Sequence, residues 1–299
     1  MRVFVTGATG FVGSAVVREL AGAGHQVLGL ARSDASAASL SAAGAEVHRG
    51  TLEDPDSLRA AAADADGVIH TAFVHDFAHF AAAVETDQRA IEALGEALAG
   101  SGRPFVITSG TTGLVHGRPA TEESTPGPGS PAALRFASEE LALSFAGRGV
   151  RVSVVRLPPS VHSDADKHGF VPQLIGVARE KGVSAFADDG ANRWAAVHQL
   201  DAAHLFRLAL EHAEAGTRWH GVGDESVATR DIAEVIGRRL DLPVASVPSE
   251  EAAAHFGFLG AVFSLDTPAS NALTRQRLGW EPTHADLLAD LEKDHYFTA

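Results

Sequence analysis

The chain has 299 residues, 45% of them hydrophobic, enough to bury about three quarters of the surface that its unfolded form exposes. It carries no cysteine and a formal net charge of -14, which excludes disulfides and thiolate chemistry and opposes nucleic acid and acidic membranes as partners. With no run of eighteen apolar residues and no basic-then-apolar leader, the expectation is a cytoplasmic globular protein acting on a small molecule.

Residues 2–6, RVFVT, are a β-branched and aromatic run that ends at Gly7, and residues 11–23 carry apolar side chains at helical spacing as far as Gly24. This strand, tight turn and helix recur. HQVLGL (25–30) precedes an Ala-rich helix, AEVHRG (45–50) precedes DPDSLRAAAA, and DGVIHTA (66–72) precedes a long helix reaching residue 98. RPFVITS (103–109), a helix from about 131 to 146 and VRVSVVRLP (150–158) continue the series. Nearly continuous apolar strands alternating with helices predict an α/β fold with a doubly wound parallel sheet. The segment HGRPATEESTPGPGSP (116–131) reads as a mobile loop over the C-terminal edge of that sheet, where ligands of such folds bind.

Beyond residue 160 the alternation stops. Helices closing at Gly182 and Gly216, and one opening with a Thr229 cap, are expected to build a smaller lobe. The expected division is a dinucleotide-binding domain over 1–160 and a substrate lobe over 161–299, partly interleaved with the sheet.

VTGATGFVGSAVVREL places Gly7, Gly10 and Gly13 in the pattern G-x-x-G-x-x-G between the first strand and first helix, with Thr9 in the same turn. Gly7 permits the tight turn, Gly10 lets the backbone approach a pyrophosphate, and Gly13 lets helix and strand pack closely. The amides near Phe11 and Val12 would meet the phosphates with the helix dipole behind them. An NAD site keeps an acid at the end of the second strand, where this chain has Ala31, Arg32 and Ser33. Arg32 can fork onto a 2′-phosphate, with Ser33 donating a hydroxyl, so the sequence predicts NADP(H) over NAD(H); Asp34 is the residue at odds with this.

The motifs TGATGFVG, DGVIHTA, FVITSG, VVRLPPSV and NRWAAVHQLDAA (192–203) stand in the order found in extended short-chain dehydrogenases/reductases, and the chain resembles that superfamily over nearly its whole length. The resemblance implies a Rossmann fold with Leu52 near the adenine, although Thr51 stands where the family usually has Asp. It places Thr71 and Ala72 at the ribose and pyrophosphate, Thr108 on the cofactor side, and Pro158, Pro159 and Ser160 at the nicotinamide amide. It gives His198 and Asp201 structural roles and implies a homodimer through the helix ending near Leu98 and the helix containing Arg135.

The family's reductases use a tyrosine acid, a lysine four residues on, and a hydroxyl after the fifth strand. Here RFASE (135–139) aligns with Tyr-x-x-Ser-Lys, so Arg135 replaces the acid and Glu139 the lysine; the sole tyrosine is Tyr296. The usual hydroxyl pair appears as Ser109-Gly110, followed by Thr111 and Thr112, and His116 and His162 stand where tyrosines are usual. Arginine stays charged and is a poor proton donor, but it can stabilise an oxyanion or bind a carboxylate or phosphate. Glu139 can accept from nicotinamide ribose hydroxyls, or pair with Arg135 on the helix surface.

His75 and His162 are candidates for proton transfer, while His75 and His79, one helical turn apart without a third ligand, lead to no metal assignment. Phe73, Phe77, Phe136, Phe170, Phe186 and Trp194 suggest an apolar or aromatic-lined pocket. Three functions stay open: an NADPH-dependent reductase of a C=O, C=N or C=C bond using a relay other than Tyr/Lys, a catalytically silent NADP(H) sensor or scaffold, and a non-redox lyase, isomerase or cyclase.

Overall fold

The computed structural model describes residues 1–76, 79–127, 129–130 and 132–298. The first half runs β1 (Arg2–Thr6), α1 (Phe11–Gly22), β2 (Gln26–Ala31), α2 (Asp34–Ala42), β3 (Glu46–Arg49), α3 (Pro55–Ala63), β4 (Gly67–His70), α4 (Phe80–Leu98), β5 (Pro104–Gly110), α5 (Ala133–Ser144) and β6 (Arg151–Leu157). The second half runs β7 (Ser160–His162), α6 (Phe170–Lys181), β8 (Ser184–Ala187), β9 (Arg193–His198), α7 (Gln199–His212), β10 (Thr217–His220), β11 (Asp224–Ala228), α8 (Thr229–Leu240), β12 (Val244–Val247), α9 (Ala252–Phe256), α10 (Leu259–Phe263), α11 (Ala272–Leu278) and α12 (Leu287–Leu291).

Seven parallel strands form one sheet in the order β10-β6-β5-β4-β1-β2-β3. The continuous apolar runs of the central strands follow from burial on both faces. On one face α1 and α7 cover Val3, Val5, Ile69 and Val106; on the other α3, α4 and α5 cover Phe4, Val68, Phe105, Ile107 and Val152. The chain leaves β1 toward β2 on one side and toward β4 on the other, so the crevice between the C-terminal ends of β1 and β4 is the topological switch point, where ligands of such sheets bind.

The second half contributes α7 and β10 to this sheet domain and otherwise builds a lobe. The lobe holds a three-stranded sheet β11-β9-β7, a pair β12-β8 and its own core around Trp194, Phe256, Phe263 and Leu287. Thr229 is the first residue of α8 and not its cap; Ala228 is the cap, and the Thr229 hydroxyl donates to Asn192 Oδ1 at 2.6 Å. The 116–131 loop is tied down over part of its length. Ala120 bridges Ala269, the buried Glu122 carboxylate accepts from Thr274 N and Oγ1 at 2.8 and 2.7 Å, and Arg156 donates to the Ser124 carbonyl at 3.0 Å. No described helix is long and apolar enough to cross a membrane.

Candidate active site

The glycine turn separates three reasons for glycine. Gly7 has φ +66°, and a Cβ there would lie 2.7 Å from Ala72 N; one on Gly13 would lie 2.0 Å from the Gly7 carbonyl oxygen. The protein's own packing therefore requires both. Gly10 is exposed, with φ -74°, and a Cβ would meet only the Gly7 oxygen at 3.1 Å, so the space kept open there faces outward. No side chain caps α1 and no acid occupies its first turn, which leaves the Phe11 and Val12 amides at the positive end of the helix dipole. Beside the turn, Thr71 Oγ1 donates to the Thr6 carbonyl at 2.8 Å, and Ala72 N donates to Thr6 Oγ1 at 3.3 Å. Behind it, Gln199 of α7 donates to the Phe11 carbonyl and accepts from Ser163 at 3.0 Å. These residues fit a dinucleotide pyrophosphate: an exposed glycine, uncapped amides and a turn braced from behind.

Thr9 is exposed in this turn, Leu52 and Pro158 are buried, and Pro159 is half-buried. Thr108 Oγ1 donates to the His70 carbonyl at 2.9 Å. The hydroxyls of Ser109, Thr111 and Ser160 are buried and have no hydrogen-bond partner among the described residues.

Arg135 and Glu139, one helical turn apart on α5, face different surroundings. Arg135 Nη1 donates to Asp87 Oδ2 at 2.8 Å and Nη2 to the Thr108 carbonyl at 2.7 Å, with the guanidinium 4.2 Å from the Phe73 ring centroid. Asp87 Oδ1 lies 3.2 Å from His70 Nε2, and His70 Nδ1 lies 2.7 Å from Thr6 Oγ1. Burial alone would raise the Asp87 pKa; the His70 hydrogen bond and the Arg135 charge outweigh it and leave the pKa lowered. His75 sets its ring edge-on to Phe73, centroids 5.5 Å apart, and its pKa is lowered by partial desolvation and by Arg135. The structure thus gathers Arg135, Thr108, Phe73 and His75 at the ends of β4 and β5.

Glu139 turns away from this group. It is buried and accepts from Arg156 Nε at 3.0 and 3.1 Å, Arg156 Nη2 at 2.7 Å and Arg218 Nε at 3.1 Å. Its oxygens are committed to two guanidinium groups, and it forms no ion pair with Arg135. His162 is buried in β7 against the lobe, with Nδ1 3.0 Å from Asp290 Oδ2 and its ring edge-on to His198. Of the aromatic candidates, Phe77 lies outside the described residues. Phe73 lies under Arg135, Phe136 beside Arg156 and Arg218, Phe170 against Trp194, and Phe186 under Arg230, so these five do not converge on one pocket.

His198, Asp201 and His284 form the one group among the described residues whose ligand atoms approach as a metal site requires, all within 4.8 Å. The His198 and His284 rings stack at 8° with centroids 4.7 Å apart, so their lone pairs run side by side and do not meet at one point. Asp201 already accepts from Thr283 N, His284 N and His284 Nδ1 at 3.0, 3.1 and 2.7 Å.

Sequence reasoning met His70 in HTAFVHDFAHF without giving it a role, and passed over Asp87. The available signal was Asp87 itself, a carboxylate on the apolar stripe Val84, Asp87, Ile91, Leu94, Leu98 of α4.

The strand order, glycine turn and switch-point crevice define a dinucleotide-binding protein of the Rossmann type. The sequence profile of the NAD dependent epimerase/dehydratase family matches residues 3–221, and the chain belongs to that family. An uncharacterized protein of Schizosaccharomyces pombe is 54% identical over 299 residues, covering 99% of this chain and 100% of the relative. The 2'-dehydrokanamycin reductase of Streptomyces kanamyceticus is 30% identical over 263 residues, covering 85% of this chain and 71% of the relative. Among solved structures, the dTDP-glucose 4,6-dehydratase DesIV of Streptomyces venezuelae shares the fold at a TM-score of 0.78, with 22% identity and coverage of 98% and 95% of the two chains.

The NADP(H) expectation is corrected by these comparisons. DesIV holds NAD, as do the solved UDP-glucose 4-epimerase of Thermus thermophilus and MoeE5. The local structure gives a physical reason to abandon the Arg32/Ser33 argument. Ser33 is the N-cap of α2, its exposed hydroxyl accepting from Ser36 N at 3.2 Å and lying 3.0 Å from Ser36 Oγ, so a serine here is accounted for by the helix cap. Arg32 is an exposed residue between β2 and that cap.

Proposed function

We propose that the protein is an NAD(H)-dependent oxidoreductase acting on a small substrate with a C=O, C=N or C=C bond, in which Arg135 does part of the work of the family's tyrosine. Bound NAD(H) supplies or takes up the hydride. The observation that carries the reading is the fixed guanidinium of Arg135 at the C-terminal ends of β4 and β5, held by Asp87 and Thr108 and packed on Phe73. Two of its roughly five N–H groups make these bonds, and the others are donors for a substrate oxygen. Such a donor, fixed before the reaction, stabilises negative charge as it develops on that oxygen. It does not deliver the proton, which in this reading comes from solvent at the rim beside His75.

Ser109, Thr111 and Ser160 contribute buried hydroxyls on the cofactor side, while Gly7, Thr9, Gly10, Phe11, Val12, Gly13, Leu52, Thr71, Ala72, Thr108, Pro158 and Pro159 hold the dinucleotide in this reading. The name of the Streptomyces kanamyceticus relative, a reductase, supports the direction of reduction. A small-molecule substrate, a cytoplasmic setting and a homodimer through α4 and α5 belong to the same proposal; light scattering tests the dimer, and a monomer refutes it.

A second reading, a catalytically silent dinucleotide binder, is favoured by Glu139, whose oxygens are occupied by Arg156 and Arg218 and supply nothing to a lysine-like role. NADH consumption with a panel of aromatic aldehydes, enones and cyclic imines separates the two. The oxidoreductase reading predicts turnover with at least one member and a fall of about 100-fold in kcat/KM for Arg135→Ala. NADH binding without turnover across the panel supports the binder.

A further inference from the structure

We propose that Thr6, His70 and Asp87 are positioning residues: a directed chain of hydrogen bonds that begins at the dinucleotide-binding turn and ends on Arg135, fixing its guanidinium toward the substrate oxygen. The proposal rests on the reading of Arg135 given above and adds to it how that side chain is held.

The direction of the chain follows from an inventory of donors and acceptors. Thr6, His70 and Asp87 are 0%, 1% and 2% exposed, so water is not available to complete their hydrogen bonds. Asp87 Oδ2 accepts from Arg135, and Oδ1 faces His70 Nε2, so that nitrogen carries the proton and donates. The hydroxyl oxygen of Thr6 already accepts from Ala72 N, and its own hydrogen has one neighbouring acceptor among the described residues, His70 Nδ1 at 2.7 Å. A doubly protonated ring would force Thr6 Oγ1 to accept twice and leave its buried hydrogen without a partner. One arrangement satisfies every group: Ala72 N–H to Thr6 Oγ1, Thr6 O–H to His70 Nδ1, His70 Nε2–H to Asp87, and Asp87 accepting from Arg135, which also donates to Thr108.

The strand register places the chain where cofactor and substrate meet. Thr6 and His70 are paired at the ends of β1 and β4, and β5, which carries Thr108, lies beside β4. Thr6 is followed directly by Gly7, and Ala72 N is the atom a Cβ on Gly7 would strike at 2.7 Å, so the first link borders the nucleotide turn. Arg135 is one-fifth exposed and its partner Asp87 is sealed, an arrangement in which the buried end fixes the pose and the outer end remains for a ligand. The ionised Asp87 also neutralises Arg135, so the outer donors suit a neutral carbonyl or imine better than a free carboxylate.

The test combines the full-length protein with Thr6→Val, His70→Asn and Asp87→Asn, using two independent readouts. In nitrogen NMR of the imidazole groups, wild-type His70 is expected to show Nε2 as the donor and Nδ1 as the acceptor, and Thr6→Val and Asp87→Asn are each expected to change that signature. In steady-state kinetics with the best substrate of the carbonyl and imine panel, Asp87→Asn and His70→Asn are expected to lower kcat about 100-fold, the scale of a catalytic group misplaced by about 1 Å, with NADH affinity changed less than about threefold. A His70 ring protonated at Nδ1 or at both nitrogens overturns the proposal, as does a kcat unaffected by both His70→Asn and Asp87→Asn. Thr6→Val keeps the shape of the buried side chain and decides the matter if the other two variants do not fold. Absence of turnover by the wild-type protein refutes the functional reading of Arg135, while the NMR signature still decides whether the chain exists.

Discussion

Replacing Glu139 with glutamine gives the sharpest view of what holds α5 against the sheet. Glu139 is 1% exposed and Arg156 0%, and three N–O distances of 2.7 to 3.1 Å join them, with Arg218 adding a fourth contact at 3.1 Å. Removing the carboxylate charge leaves Arg156 with neutral partners alone, the glutamine oxygen and the carbonyls of Ser124 at 3.0 Å and Glu122 at 3.4 Å. Breaking a buried pair from one side costs about 3–5 kcal/mol, because the remaining charge stays desolvated. Glutamine retains one acceptor, so the lower end, about 3 kcal/mol, is expected, out of a total stability on the order of 5–15 kcal/mol. Lysine, the residue the family places here, would set a third cation beside Arg156 and Arg218 and cost more. Urea unfolding with the slope held constant measures the loss. Glu140→Gln is the control: its pair with Arg218 is at the surface, Glu140 being 56% exposed, and a change under about 1 kcal/mol is expected. If Glu139→Gln matches that control, the buried ion cluster is not what ties α5 to β6, and the assignment of Glu139 to structure fails.

Three further outcomes follow from the geometry. Gly10→Ala should fold normally yet weaken NADH binding at least about tenfold, or about 1.4 kcal/mol, whereas Gly13→Ala should unfold at markedly lower temperature because its Cβ would lie 2.0 Å from the Gly7 oxygen; titration and thermal melts separate the two. Ser33→Ala should cost about 1 kcal/mol of stability as a lost helix cap and leave NADH affinity unchanged, and NADPH should bind no more tightly than NADH by calorimetry. Burial, and after it the Arg156 charge, depresses the His220 pKa to about 4, so folding holds the ring neutral while the unfolded chain protonates near 6.5. Its contribution is therefore lost as pH falls from about 6.5 to about 4, by about 3 kcal/mol in all, and His220→Gln should flatten the stability profile over that window.

The sheet domain was legible because its signals are local. The apolar runs before Gly7, at 103–109 and at 150–158 became β1, β5 and β6 with ends within a residue or two, and the glycine spacing gave the turn. The lobe itself and its helix closing at Gly182 were legible, but its strands were not, since β7, β8, β9 and β12 are short and their pairing partners lie far apart in sequence, as in Val244 with Ser184. At the site, the alignment of RFASE located Arg135 and Glu139 but not their directions. One turn of helix points Arg135 to Asp87 and Glu139 to Arg156, and only the fold reveals those partners. Two charges in apolar contexts held the missing information: Asp87 on the buried stripe of α4 and Arg156 inside VRVSVVRLP. A charge is kept in such a place only with a partner, and a search for that partner would have led from Asp87 to Arg135 and from Arg156 to Glu139. Arg32 and Ser33 misled because a cap serine and a phosphate-binding serine look alike until α2 is seen to begin there.

The central claim is that this fold moves hydride while Arg135 holds the substrate oxygen. NADH deuterated at the transferring position of nicotinamide C4, incubated with the best substrate of the carbonyl and imine panel, tests it most directly by mass spectrometry of the product. The account predicts one deuterium on the reduced carbon with the wild-type protein and incorporation slowed about 100-fold by Arg135→Ala. Unlabelled product, or label transferred equally fast by the variant, would contradict it.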